Sequence, residues 1–519
     1  MAFDLMNTAR LLLQIKTGDC LMKLARRTIV GVLSISISAF LFAPSGVNAA
    51  SISVQSVVPG QTVFLAQATL ANVDVATLTS IDFVISPKQG SSTVAIRGTY
   101  SASYLASHDL LNTQGRNASV PVYGLYQGSS NRISFTVRNR VGQRSTTSAT
   151  SVNFTTEAWD NGRSYSYTHP TKVVPRNNAV RLNYSFFMLK AWGSNANPVV
   201  MDTDGEVRWV GTAGGKMPGA TYFENGFYVG EGSEMTRIEL DGTTSSVANL
   251  SSLGYADFHH NIDKGRTGML VDLNHYPDVE SDIVEVSGSG TVLNTWNLAQ
   301  IIGDAISANN EDPSSFVRPG NYDDWFHNNA ATYWPQKNEL VVSSRENFVI
   351  GIGYDSKKIE WILGDPTKKW HEFAALRKFA LNMTGNGLAP VGQHAVSITP
   401  DNKLMLFDNG LASYGQYPGG VNRGYSAPRK YSIDLRTMKA TETWHFEHGQ
   451  SVYSPICSSV YLDGGSYLID YASENWGQDI RLVGLDQQGR TAFEYTLDGY
   501  QWDMGWNALP IHIENNVYK

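Results

Sequence analysis

Four short stretches hold the residues of this chain whose types and spacing can do chemistry. They are Phe258-His259-His260-Asn261, Asp324-Trp325-Phe326-His327-Asn328-Asn329, Ser343-Ser344-Arg345 and Gly392-Gln393-His394-Ala395. Each lies beside an apolar, β-rich run, so neighbouring strands can bring the polar groups together. A neutral imidazole is a competent nucleophile toward sulfur or phosphorus. An arginine offers a fixed fork of donors to an oxyanion. Further histidines and an asparagine can hold charge on the oxygens or protonate a leaving group. Three histidines can also bind a metal such as zinc, and such a cluster can be merely structural. The arginine disfavours a bound cation and favours transfer of an anionic group, but on residues alone all three readings stay open.

The remaining histidines (His108, His169, His275, His371, His445, His448 and His512) lie in turns, in inserts, or alternating with apolar residues. They read as surface or satisfied polar groups.

The elements that must position the four stretches come from a weak repeat. Met201-Asp202-Thr203-Asp204-Gly205 through Trp209 is an apolar strand, a tight turn and a second strand ending in an aromatic. Related units start at Ile238, Ile283, Ile352, Tyr431 and Leu482, several of them ending in an aromatic (Trp296, Trp361, Trp444, Phe493). Six such hairpins predict a six-bladed β-propeller, with a long β-sandwich or β-helix as the competing all-β arrangement. In a propeller, successive blades point the starts of their innermost strands toward one end of the central channel. His259-His260, His327 and His394 then meet near the axis. Arg345, expected at the far end of the strand after His327, reaches back toward them. Residues 297–316 and Trp370 to Met383 break the β pattern and read as short helical inserts.

Residues 51 to about 155 read as a separate all-β module of short alternating strands split by Gly, Asn and Ser turns, fitting an immunoglobulin-like sandwich. The expected division is a signal peptide over residues 1–49, with Met22 as its start, then a sandwich over 50–158 and the propeller over 159–519. Asp160 to Pro175 reads as a linker. Lys23, Arg26 and Arg27 precede the apolar run Thr28 to Pro44, and Val47-Asn48-Ala49-Ala50 supplies small residues for cleavage. That run is shorter than the about 20 residues a membrane span needs, so export to the periplasm without lasting membrane insertion is expected. Cleavage removes Cys20 and leaves Cys457 alone, without an intramolecular disulfide. Hydrophobic residues make up 42% and charged residues 17% of the chain, and the net charge is −7. With no basic block after the N-terminus, generic nucleic-acid binding is excluded.

The run from Asp324 to Asn329, followed by Leu340-Val341-Val342-Ser343-Ser344-Arg345, Ile350-Gly351-Ile352 and Trp361-Ile362-Leu363-Gly364-Asp365, resembles the bacterial arylsulfate sulfotransferases. Gln393-His394 before Leu406-Phe407-Asp408-Asn409-Gly410 matches the same family, as does Asp257-Phe258-His259-His260. The resemblance spans the mature chain and implies a small β-domain before a six-bladed propeller. It implies transfer of a sulfuryl group from a small aryl sulfate to a phenolic acceptor by a ping-pong route through a sulfohistidine. No nucleotide sulfate donor, cofactor or metal is implied. It places the nucleophile at His394, and sulfuryl binding and proton transfer at His327, Asn329, Arg345 and one of His259 or His260. Ser458 and Gln393 are placed with the substrate. Well-known members carry a propeller disulfide, which this chain lacks. A propeller that binds a sulfated or carboxylated ligand without turnover is the alternative, and a homodimer stays open.

Overall fold

In the computed structural model, which describes residues 51–159, 169–190, 197–213, 219–499 and 505–519, the repeats become the blades of a propeller. Each of the six units supplies the third strand, the tight turn and the fourth strand of one antiparallel blade, and the fifth and sixth blades carry an added outer strand, Asn382–Thr384 paired parallel and Thr171–Val174 paired antiparallel. The turns close as the sequence dictates. In the first unit the Gly205 N–H donates to the Asp202 carbonyl at 2.9 Å with Gly205 at φ +86°, a conformation open to glycine at no steric cost.

From the axis outward, the third blade is Asp257–Lys264, Met269–His275, Asp278–Val286 and Val292–Asn297. The fourth is Asn328–Trp334, Glu339–Ser344, Val349–Gly353 and Ile359–Leu363. The fifth is His394–Ile398, Leu404–Asp408, Ala427–Asp434 and Lys439–His445. The first blade is composite. Its innermost strand is Asn507–Ile511 from the end of the chain, paired antiparallel with Phe186–Lys190, and this pairing closes the ring.

The aromatics after the turns pack blade on blade. Trp209 stacks on Phe227 of the second blade with ring centroids 4.3 Å apart, Trp296 meets Tyr354 of the fourth at 4.9 Å, and Trp444 stacks on Tyr467 of the sixth at 4.3 Å. Phe493 lies 6.1 Å from Phe187, joining the sixth blade to the first. Trp361 shares the apolar seam between the fourth and fifth blades with Leu404 and Leu406.

The N-terminal module is a sandwich of two sheets. Ser53–Pro59, Leu65–Ala71, Asn117–Tyr123 and Leu111–Asn112 form one; Leu78–Ile85, Ile96–Ser101, Ser130–Val141 and Arg144–Thr155 form the other. The second sheet takes a fifth strand, Asn515–Tyr518, parallel to Ile96–Ser101. The chain therefore returns to the sandwich after closing the propeller, which a boundary at residue 159 does not anticipate. The returning strand covers an otherwise open sheet edge, and Tyr518 stacks on Tyr100 at 4.8 Å. Within the expected linker, Thr171–Val174 is a strand added to the outside of the sixth blade; the rest of it over 160–168, and the expected signal over 1–49, lie outside the described residues.

Both inserts are helical in part: Leu298–Ser307, and a turn at Lys369–Glu372 followed by Ala374–Arg377. Their apolar faces share a core with Phe316, Trp325, Phe326 and Phe348, which anchors the loop leading into His327. No helix among the described residues is long and apolar enough to cross a membrane.

Trp209 is fully buried, and its Nε1–H donates to the Leu240 carbonyl of the next blade at 3.0 Å. Trp209→Ala is expected to remove about 3–5 kcal/mol of stability, seen as a lower urea midpoint.

Candidate active site

Three successive blades present their polar residues through β-bulges in the innermost strand. In the third, Phe258 pairs with Leu273 and Ile262 with Val271, so His259, His260 and Asn261 sit opposite Asp272 alone. In the fourth, Asn329 is the extra residue between the pairs Asn328–Ser344 and Ala330–Ser343. In the fifth, Ala395 and Val396 face Leu406 between His394–Phe407 and Ser397–Met405. A bulge breaks the alternation of a strand and re-aims its side chains. His327, Ala395, Cys457 and Ser458 all have positive φ, at +53°, +54°, +56° and +79°. Such backbone is strained for residues other than glycine and persists only where the surroundings impose it.

His394 is almost fully buried, and its tautomer is fixed. Nδ1–H donates to Asn409 Oδ1 at 2.7 Å and lies 3.1 Å from the Gly392 carbonyl. Asn409 cannot turn its amide around, because its Nδ2 donates to the carbonyls of Ser454 and Cys457 at 2.7 and 2.9 Å. Nε2 therefore carries a lone pair, and the Cys457 backbone N–H points at it from 3.2 Å. Burial, with His327 and Arg345 nearby, pushes His394 down to about 3 against the opposing hydrogen bond to Asn409. It is a free base at neutral pH.

His260 lies between His394 and His327, with ring centroids 5.6 and 5.0 Å away. Its Nδ1 accepts from the Trp506 indole N–H at 3.0 Å, and its Nε2 meets His327 Nε2 at 3.0 Å. Burial first, then the surrounding imidazoles and Arg345, hold His260 well below the usual histidine range. His327 Nδ1 donates to the Asp324 carboxylate at 2.8 Å and also contacts Glu280. Burial and Arg345 act to lower the His327 pKa, but Asp324 and Glu280 outweigh them and hold it up at about 9. His259 points elsewhere, pairing through Nε2 with Glu280 at 2.6 Å. The geometry thus separates the two adjacent histidines: His260 joins the His394 cluster, and His259 supports Glu280.

Arg345 and His327 are brought together by the fourth blade's first hairpin. His327 precedes one strand, Arg345 follows the next, and the Arg345 N–H donates to the His327 carbonyl at 3.1 Å. Arg345 therefore stands at the same end of the hairpin as His327 and not at the expected far end, because antiparallel pairing of Asn328 with Ser344 returns the chain to where it started. Its Nε and Nη2 donate to Glu346 at 3.0 and 2.8 Å, and Nη2 is 3.8 Å from Asp324. The guanidinium lies over the Tyr414 ring, 5.3 Å from its centroid.

Not every expected residue faces this cluster. Asn329 Nδ2 donates to the Gln393 carbonyl at 2.9 Å, bracing the peptide before His394, and its Oδ1 is buried without a partner among the described residues. Gln393 turns its amide to the Ser344 carbonyl, joining the fourth and fifth blades. The Ser458 hydroxyl is bound into a serine cluster, 2.8 Å from Ser454 Oγ and accepting from the Ala472 N–H at 3.0 Å. That loop gives His394 a backbone donor instead of a hydroxyl. Nearby, Trp325 belongs to the core under the inserts and Tyr333 packs on Tyr354.

The structure adds Asp324, Glu280, Asn409 and Trp506. Two of them were marked by position: Asn409 directly follows the second strand of its blade, as Arg345 does, and Trp506 directly precedes an innermost strand, as His327 does. Donor atoms of His259, His260 and Glu280, and of Glu280, Asp324 and His327, come within 4.8 Å of one another. That spacing admits a divalent ion, and the same carboxylates lie within hydrogen-bond distance of imidazole nitrogens.

A six-bladed propeller whose channel gathers an unprotonated imidazole, a buried arginine and further imidazoles offers a lone pair and a set of donors of the kind an oxyanion accepts. The family model described as arylsulfotransferase (ASST) matches residues 167–505, and the arylsulfotransferase Ig-like domain matches residues 67–156. The chain belongs to the arylsulfotransferase family. Among similar proteins, the arylsulfate sulfotransferase AssT of Escherichia coli O6:H1 strain CFT073 is 27% identical over 36% of this chain and 38% of its own length. The arylsulfate sulfotransferase AssT of Lelliottia amnigena is 25% identical over the same shares. The matched region thus spans well under half of either relative. The β-propeller domain of Myceliophteria thermophila Cps50 (Swd1) superposes with a TM-score of 0.35 at 10% identity, over 64% of this chain and 90% of that one. That likeness is too remote to bear on the fold.

The low pKa of His394 has a sign that can be checked. An unfolded chain protonates this imidazole near 6.5 and the folded chain only near 3, so its contribution to stability is complete above pH 6.5 and is lost as pH falls toward 3. In ¹⁵N spectra of histidine-labelled protein, His394 is expected to remain the neutral Nδ1–H tautomer at pH 5. An imidazolium there would refute the assignment.

Proposed function

We propose that this protein moves a sulfuryl group from an aryl sulfate to a phenolic acceptor through a sulfohistidine at His394. The observation that carries this reading is the fixed tautomer of His394, whose unprotonated Nε2 lies in a buried cluster with Arg345, His260 and His327. Nε2 attacks sulfur, the bond from sulfur to the aryl oxygen breaks, and the leaving phenolate takes a proton from His327. In the second half the acceptor hydroxyl gives its proton back to His327, its oxygen attacks sulfur, and the bond from nitrogen to sulfur breaks. Arg345 and the His260 Nε2–H hold charge on the sulfuryl oxygens. The Cys457 N–H, which rests on the His394 lone pair, becomes a third donor once that lone pair is committed to sulfur. Asn409 and Asn329 act on the frame, one fixing the imidazole and the other the peptide before it. The sandwich and propeller are read as separate domains, and the basic and apolar pattern of residues 1–49 as an export signal.

With p-nitrophenyl sulfate and phenol, His394→Ala is expected to abolish both steady-state transfer and the burst of nitrophenolate; unchanged turnover would remove it as nucleophile. Arg345→Ala is expected to slow transfer by about 10²-fold or more, the effect of losing one donor worth about 3 kcal/mol at a dry site. Tight binding of the aryl sulfate with no phenol released would make the protein a binding module instead.

A further inference from the structure

The contact between His260 and His327 contains one proton too few for an anion site. His260 Nδ1 accepts from the Trp506 indole at 3.0 Å, and indole nitrogen is a donor only. A neutral His260 must therefore carry its proton on Nε2. That N–H has the His327 Nε2 lone pair opposite it at 3.0 Å. His327 Nδ1 is already committed to Asp324, so while the rings touch, His327 cannot hold a second proton without setting two N–H groups head to head. Its surroundings favour the imidazolium, with a pKa held up at about 9, so it is the head-to-head contact with the His260 Nε2–H that keeps the second proton off until that contact opens. Asp324 on its own loop and Glu280 on the third blade face it as carboxylates. Arg345 opposes them but is itself matched by Glu346. His260 and His394, both held as neutral bases, and His259, paired with Glu280, complete the ring of titratable groups around it.

We propose that Trp506 is a positioning residue that locks His260 as the Nε2–H tautomer, so that an oxyanion enters this site together with one proton taken up on His327 Nε2. An anion oxygen accepts the His260 N–H, the His327 lone pair is released, and a proton from solvent fills it. Both imidazoles then donate to the ligand. The proton waits where a leaving phenolate needs it, and it is loaded only when an anion is present. This inference rests on the oxyanion reading of the site.

The probe is 4-nitrobenzenesulfonate, whose carbon–sulfur bond is not transferable, titrated calorimetrically at pH 7.5 in buffers of different ionisation enthalpy. Wild-type protein is expected to take up roughly one proton per anion bound. Trp506→Phe frees His260 to carry its proton on Nδ1 and to accept from an already protonated His327, so its uptake is expected to fall to less than half. Binding with no proton uptake overturns this inference and leaves the oxyanion reading standing; absence of binding overturns both. Equal uptake in Trp506→Phe removes the role of the indole. Because that variant can lose its fold, ¹⁵N spectra of the unliganded wild type give an independent check: His260 protonated on Nε2 supports the lock, and His260 protonated on Nδ1 overturns it.

Discussion

The pairing of Asn507–Ile511 with Phe186–Lys190 holds the ring closed, and the polar centre depends on that closure. Five register pairs join the last propeller strand to the first one laid down, and the Trp506 N–H extends the ladder to the Lys190 carbonyl at 3.0 Å. The same strand is tied to the sixth blade, where Ser459 Oγ bonds the Ala508 N–H and carbonyl at 3.0 Å each. It reaches across the channel as well, with Asn507 Nδ2 3.3 Å from Asn261 Oδ1, an oxygen that also accepts from Lys190 at 2.6 Å. A strand contributed from the end of the chain therefore sets where the third blade's bulge lies relative to the first blade. Its leading residue, Trp506, is delivered to His260 by that geometry.

Once closed, the channel holds charges that are largely buried, and their arrangement follows from the need to match each one. Removing one partner of a buried pair leaves an uncompensated charge, typically a loss of about 3–5 kcal/mol. Arg345 is held by Glu346, which in turn accepts the backbone N–H groups of Tyr414 and Gly415 at 2.9 and 2.8 Å. Burial raises the pKa of Glu346, yet Arg345 and those N–H groups win and keep it low. On the other side, Glu280 and Asp324 compete for imidazole protons. Glu280 is held well below its usual range, chiefly by His259 and His327 against burial, whereas burial and the neighbouring Glu280 raise Asp324 to about 6. The guanidinium is neutralised from behind while the imidazoles keep a lone pair and a proton in play.

Much of this was legible from sequence because it is local. A strand, a tight turn and a second strand announce themselves within ten residues, with Asp-Gly at two of the turns (Asp204-Gly205 and Asp241-Gly242), and six such related units announce a propeller. The convergence of His327, His394 and the His259-His260 pair also followed, since it needs only the rule that innermost strands share an axis; which of the pair joins the cluster, and the end of the hairpin at which Arg345 stands, did not. What was not legible depends on backbone direction at single residues. Ser458 was expected to face substrate as a hydroxyl, but positive φ at Cys457 and Ser458 turns that side chain into the serine cluster and a main-chain N–H toward His394. Gln393 was turned the same way by the left-handed Gly392, at φ +67°. Glu280 comes from a strand whose sequence carries no chemical signature, and Trp506 was marked by position alone; only the closed ring brings the indole to His260.

The role of the 454–459 loop also explains why the missing disulfide leaves the proposed chemistry intact. Cys457 is buried as a free thiol, and burial pushes it far above the range in which a thiolate forms, so the sulfur is inert. What the loop supplies is the direction of one N–H, and that direction is held by hydrogen bonds. Ser454 Oγ accepts the Ser473 N–H at 2.8 Å, Ser473 Oγ accepts the Ile456 N–H at 3.1 Å, and Asn409 gathers the Ser454 and Cys457 carbonyls onto one amide. Asn409 is the amide that fixes His394, so the proposed nucleophile and the donor aimed at it are set by a single side chain. A covalent link elsewhere in the propeller would limit the unfolded chain, but it would add nothing to this registration, which is complete within hydrogen-bond distance of His394.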